Sequence, residues 1–218
     1  GLGDVYKRQK LFKYMLVMSV ALSLIHIIIA FTPIFYFVAE NLMNVPSSII
    51  EPGRVGLQIM TPWTIMIAWR RLNQGVMIKH GNSTIVAIGT LIRLLTLIAV
   101  LSYGRWLSNF SGIVVGASAV ALAVTAEALY AQLAVRSILK NKMALQTKSF
   151  VVNRKQFTSF YIPLAITPLA SLLIHPAGSA GMSRMPDALS SLAAWPVVYG
   201  LVFITRSLGF AYNEVVVA

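Results

Sequence analysis

An all-α, polytopic membrane protein with about six transmembrane helices is the fold class this sequence predicts, on three observations. Of 218 residues, 57% are hydrophobic and only 11% charged, where a soluble domain carries about a quarter charged residues. Apolar runs of about 20 residues recur, each long enough to cross a hydrocarbon core of about 30 Å. Nearly all the cations fall in the connections between those runs.

The first helix is expected over Lys13–Ala39, apolar throughout, with Thr32-Pro33 near its far end. Glu40–Gly53, rich in Asn, Ser and Pro, reads as a polar connection too broken to span. A second helix from Val55 past Trp69 to Ile78 carries Thr61-Pro62-Trp63, which predicts a kink, and Gly81 ends it. Its Arg70 and Arg71 are expected at an interface, in a basic turn before the third helix, Thr84–Tyr103. A fourth, Gly112–Ala134, presents Gly116, Ala119, Ala123, Glu127, Tyr130 and Ala134 as a stripe of small and polar residues. Such a stripe belongs against protein or water, not lipid. The basic segment Arg136–Lys155 follows, then a fifth helix, Gln156–His175, with Pro163 and Pro168. After a loop to Asp187, a sixth helix spans Ala188–Thr205, and the tail looks like the start of another apolar run. Gly1–Gln9 reads as an assembly artefact, because DVYKRQ is also one reading frame of a transposon end used in sequencing libraries. LSLIHI at Leu22–Ile27 raises the same suspicion, so no function is placed on His26.

The net charge of +12 does not form a water-soluble basic stripe with interleaved aromatics, so nucleic acid is not an expected partner. One side of the membrane collects Lys10, Lys13, Arg70, Arg71, Lys79 and the Arg136–Lys155 cations; the other collects Arg54, Arg105 and Arg184. The positive-inside rule then puts the N-terminus and the basic loops in the cytoplasm of a cell or inner membrane.

Two charges lie inside the apolar runs. Arg93 falls near the middle of the third helix and Glu127 on the fourth. A mid-bilayer charge costs about 2.5–3.5 kcal/mol on insertion scales, so it faces a partner or a cavity. An Arg93–Glu127 pair relieves both charges. It reads equally as an ion or substrate site and as a charge pair that locks two helices together. Tyr130, Trp63 and Trp195 are further binding candidates, and Arg206, Asn213 and Glu214 are gate candidates at the end of the sixth helix. With no cysteine, no H-E-x-x-H, no G-x-S-x-G and no phosphate-binding P-loop, neither an enzyme nor a resident cofactor or metal is expected.

Two stretches resemble the multidrug/oligosaccharidyl-lipid/polysaccharide flippase superfamily, which includes the multidrug and toxic compound extrusion (MATE) transporters. One is Gly56–Arg93, with W-R-R-x-x-Q-G-x-x-I leading to a G-T-x-x-R-L helix; the other is Phe160–Glu214, with PLAITPL and RSLGFAYNE. The resemblance implies a partial two-lobe (6+6) fold. Residues 10–135 would be the last four helices of an N-terminal lobe, 136–155 an inter-lobe linker, and 156–218 the first two helices of a C-terminal lobe. The missing helices of the full-length chain would be partners, together with the lipid bilayer. The implied function is a secondary-active exporter or flippase of amphipathic organic or lipid-linked substrates, coupled to H+ or Na+. The competing reading is a membrane scaffold with no transport activity.

Overall fold

The computed structural model describes residues 5–106, 109–141, 158–159, 162, 166 and 173–217. Among them the chain is entirely helical. In order, the elements are α1 (Val5–Phe31), α2 (Ile34–Phe37), a π-helical turn (Val38–Leu42), α3 (Ser47–Ile59), α4 (Trp63–Lys79), α5 (Ser83–Trp106) and α6 (Gly112–Asn141). Then come α7 (173–182) and α8 (Ala188–Val217). Among the described residues four segments are long and apolar enough to cross a membrane: Leu11–Phe31, Ser83–Trp106, Gly112–Leu139 and Ala188–Ser207.

Proline decides where the expected helices differ from the observed ones. The first helix stops at Phe31, not Ala39, because Pro33 has no N–H and disfavours helical geometry in the residue before it. The expected second helix is two helices, α3 and α4, separated at Met60-Thr61-Pro62. The kink is a full break, so this region adds no candidate span. Much of the Glu40–Gly53 connection is ordered as helix, and Pro52 sits inside α3. The expected fifth helix falls largely outside the described residues. The two-lobe arrangement is not shown.

Residues Gly1–Phe35 and Glu51–Phe160 form one compact unit; Tyr36–Ile50 and Tyr161–Ala218 form another. In the first unit, α6 is the central helix. Its buried face is Ala117, Ala121, Val124, Ala128, Ala131, Val135 and Ile138, with Ala119 and Ala123 beside it. Small side chains let α4 and α5 approach closely. Glycines complete the seam between α5 and α6: a Cβ on Gly104 would fall 2.2 Å from Val115 Cγ1. Gly89, farther from that connection, meets Tyr130 at the other end, so the two helices run antiparallel. Val76 and Met77 of α4 close an apolar cluster with Ala131, Val135 and Ile138.

The end of α4 is locally encoded. Gly81 adopts φ +74°, which glycine alone tolerates freely. The Asn82 amide then reaches Met77 O (2.9 Å) and the Gly81 amide reaches Ile78 O (2.9 Å), the paired bonds of a Schellman termination.

The breaks in α1 and α3–α4 satisfy each other's freed carbonyls. Where α1 ends, Ala30 O accepts from Arg54 Nε (3.2 Å) and Gln58 Nε2 (3.1 Å), and Phe31 O accepts from Arg54 Nη2 (3.3 Å). Where α3 ends, the Thr61 amide turns to Gln58 O (3.2 Å) and releases Leu57 O. His26 Nε2 of α1 takes that carbonyl at 2.9 Å, while its Nδ1 meets Thr64 Oγ1 at 3.4 Å. The exchange satisfies these carbonyls without recourse to water.

In the second unit, Ser183 Oγ donates to Met43 O, and Arg184 Nη2 lies 3.4 Å from Leu42 O. The π-helical turn is thus held to the turn between α7 and α8. The Trp195 ring lies over Gly178, where a Cβ would meet it at 2.4 Å. His175 and Tyr199 have ring centroids 3.6 Å apart.

Candidate functional site

Helix α4 carries Arg70, Asn73, Gln74 and Met77 at positions i, i+3, i+4 and i+7. Four such positions share one face of a helix, and here all four are buried. Arg70 is therefore not an interfacial residue in a basic turn. It points into the protein, 4% exposed, because α4 continues unbroken to Lys79 and packs its polar face on α6.

Glu127 of α6 receives that face and is fully buried. Arg70 Nη1 donates to Glu127 Oε2, and the two form a direct ion pair. Gln74 Nε2 donates to Oε1 at 3.1 Å. Arg93 approaches from α5, its Nε 3.6 Å from the same Oε2 and its side chain 39% exposed. At 1.5 Å per residue, Arg93 stands about 15 Å from the start of α5, near the depth of a bilayer centre. One carboxylate thus serves two guanidinium groups.

A second polar knot sits one turn further along α6. Gln132 Oε1 accepts from Trp69 Nε1 (2.7 Å) and Asn73 Nδ2 (3.0 Å). These bonds fix the rotation of α4 and hence the aim of Arg70. On the other flank, Gly89 of α5 is buried, and a Cβ there would lie 3.3 Å from Tyr130 Cδ1 and 3.5 Å from Glu127 Cγ. Gly89 precedes Arg93 by one helical turn, so it sets how close α5 stands to the carboxylate.

The balance of the cluster is two positive charges to one negative. Arg70 Nε is buried and has no hydrogen-bond partner among the described residues. A guanidinium presents five donors in a planar fork suited to oxyanions, and here several of them are unused. Among the described residues no group of His, Cys, Asp and Glu could hold a metal ion. Chemically, the arrangement can receive one more anion.

Of the residues singled out from sequence, Arg93, Glu127 and Tyr130 lie together. Trp63 opens α4 and lies partly buried. Trp195 is on α8 in the other unit, with Nε1 buried and unpartnered. Arg206 is exposed on α8, and the side chains of Asn213 and Glu214 fall outside the described residues. Sequence reasoning missed Arg70 and Gln74 as partners of Glu127, although their i, i+4 spacing signals a shared face.

The fold and the cluster define a multi-pass, all-helical membrane protein with ion-paired charges inside its helix bundle. Residues 2–106 match the model of a family described as Progressive ankylosis protein (ANKH), and over that stretch the chain is similar to this family. The match covers α1 to α5, including Arg70, Gln74 and Arg93, and stops before Glu127. No curated protein and no solved structure matches the chain. The family match overturns the resemblance to the flippase superfamily: a different family accounts for Gly56–Arg93. The lobe and linker assignment, implied by that resemblance alone, loses its basis with it.

Proposed function

We propose that this protein is a secondary-active carrier, not an enzyme, that moves a small oxyanion across the bilayer by alternating access. The observation that carries the reading is the unequal charge of the Arg70–Glu127–Arg93 cluster. A pair serving only to join helices needs one cation per carboxylate. Here a second arginine, partly accessible, stands at membrane depth beside a carboxylate already engaged. Such intramembrane charges are costly and mark substrate or ion pathways. Interrupted helices are a further feature of transporters, and this chain has interruptions at Pro33 and Pro62. The surplus positive charge favours an anion, a narrower class than the amphipathic organic or lipid-linked substrates expected from sequence. Arg93 would bind the cargo and Arg70 would hold Glu127. The ends of α4 and α6, with Lys79 and Arg136, would face the cytoplasm by the positive-inside rule.

A second reading is a scaffold without transport, favoured by the direct and fully buried Arg70–Glu127 bond. Proteoliposomes loaded in turn with sulfate, phosphate and pyrophosphate decide between the two. The carrier predicts saturable flux that Arg93→Gln abolishes. An imposed H+ or Na+ gradient, applied separately, identifies any coupling ion. A fluorescent phosphate-bearing lipid run in parallel tests for a lipid-linked cargo. Flux no greater than in protein-free vesicles for every probe leaves the scaffold.

A further inference from the structure

We propose that Glu127 is an internal counter-anion that competes with the cargo for Arg93. The proposal rests on reading the cluster as an oxyanion site and assigns that site its regulation. The two arginines hold Glu127 very unequally. Arg70 is buried and bonds Oε2 directly, while Gln74 takes Oε1 at 3.1 Å. These contacts engage both oxygens and keep the carboxylate in place without Arg93. Arg93 meets Oε2 only through Nε, at 3.6 Å and 39% exposed, outside hydrogen-bonding distance. Its other donors have no partner among the described residues. Arg93 is therefore attracted to Glu127 but not bonded to it.

A carboxylate and a cargo oxyanion present the same recognition target to a guanidinium. With the site empty, Glu127 lends Arg93 part of its charge and limits the cost of an isolated cation at this depth. An arriving oxyanion bonds the unused donors of Arg93 and draws the guanidinium away, while Arg70 and Gln74 retain Glu127. The motion is confined to the Arg93 side chain, because buried Gly89 holds α5 against Tyr130 and the Glu127 methylene one turn away. On release Glu127 recovers Arg93. The carboxylate thus lowers cargo affinity and speeds cargo departure, a balance that a carrier needs at a charged site.

The test is titration of the full chain in nanodiscs with sulfate, phosphate and pyrophosphate, each alone, with dissociation rates by stopped flow. Glu127→Gln removes the competing charge and is expected to tighten binding by between about 5- and 150-fold, the usual range of coupling between two sites, with slower release. That variant also raises the net charge of the site and leaves Arg70 without its carboxylate. The double variant Arg70→Gln/Glu127→Gln answers both objections: it keeps the native net charge, removes the buried orphan and frees Arg93. It too is expected to bind more tightly and release more slowly than the native protein. Where Glu127→Gln does not fold, the double variant decides alone. Binding by the double variant that is equal to or weaker than native overturns the proposal. Arg93→Gln separates the two levels of the argument. Native-like binding by Arg93→Gln overturns the oxyanion site itself. Lost binding in Arg93→Gln with no tightening in the double variant overturns only the competition.

Discussion

Two polar clusters occupy the first unit, and they treat their hydrogen-bonding capacity in opposite ways. At the helix breaks, His26, Arg54 and Gln58 meet the carbonyls left free where α1 and α3 end, at 2.9–3.3 Å. In the Arg70–Glu127–Arg93 cluster, charge is unbalanced and Arg70 Nε has no partner among the described residues. The first cluster is what a bilayer demands of any interrupted helix. The second exceeds what joining helices requires. Polar groups inside a membrane protein are therefore not equivalent evidence of function; the informative ones are those the fold leaves incompletely matched.

The largest expected effect tests the buried half of the second cluster. Glu127→Ala strands Arg70 in the interior, and breaking a buried pair in this way costs about 3–5 kcal/mol. Thermal unfolding in detergent should show a large loss, with poor membrane expression. His26→Ala removes the partner of Leu57 O and should cost about 1–3 kcal/mol, the penalty of an unmet buried group. Its oxyanion affinity should stay native, and a selective loss of affinity would erase the distinction between the clusters. Gly89→Ala must shift Tyr130 by a few tenths of an ångström, with a stability loss at the lower end of about 1–3 kcal/mol. Moving α5 away from Glu127 in this way should alter oxyanion affinity more than stability. Arg93→Gln is expected to be the smallest in stability, because Arg93 lies outside hydrogen-bonding distance of Glu127 and a cation at this depth is itself costly. It should nonetheless abolish oxyanion binding, and a variant that unfolds instead would make Arg93 a structural residue.

Much of this contrast was legible in one dimension, but not all of it. Arg93 and Glu127 stand out because each is a lone charge within an apolar run. The prolines at both breaks were visible, but the first helix was expected to run past Pro33 to Ala39 and Pro62 was read as a kink. Proline alone does not decide a break, since Pro52 lies inside α3 and Pro196 inside α8. Arg70 was misread because Arg70-Arg71-Leu72-Asn73-Gln74-Gly75 has the composition of a polar turn. Its helical period, Arg70, Asn73, Gln74 and Met77, was present but competed with that composition. His26 was set aside for its sequence context, and its partner Leu57 lies 31 residues away. No local pattern connects them.

By itself the sequence determined the medium, the prolines available to interrupt helices, and two of the charges at membrane depth, Arg93 and Glu127. All three follow from properties of single residues or short runs: transfer free energy, a missing amide proton, and charge. Only the tertiary structure decided how Glu127 is shared. Alanines along α6 admit α4 closely enough for Arg70 and Gln74 to bond the carboxylate, and the Gln132 knot fixes the rotation of α4. Gly89 admits α5 closely enough for Arg93 to be attracted but not bonded. Those distances are set by packing among three helices, and packing is a property of pairs of surfaces, which no single stretch of chain contains.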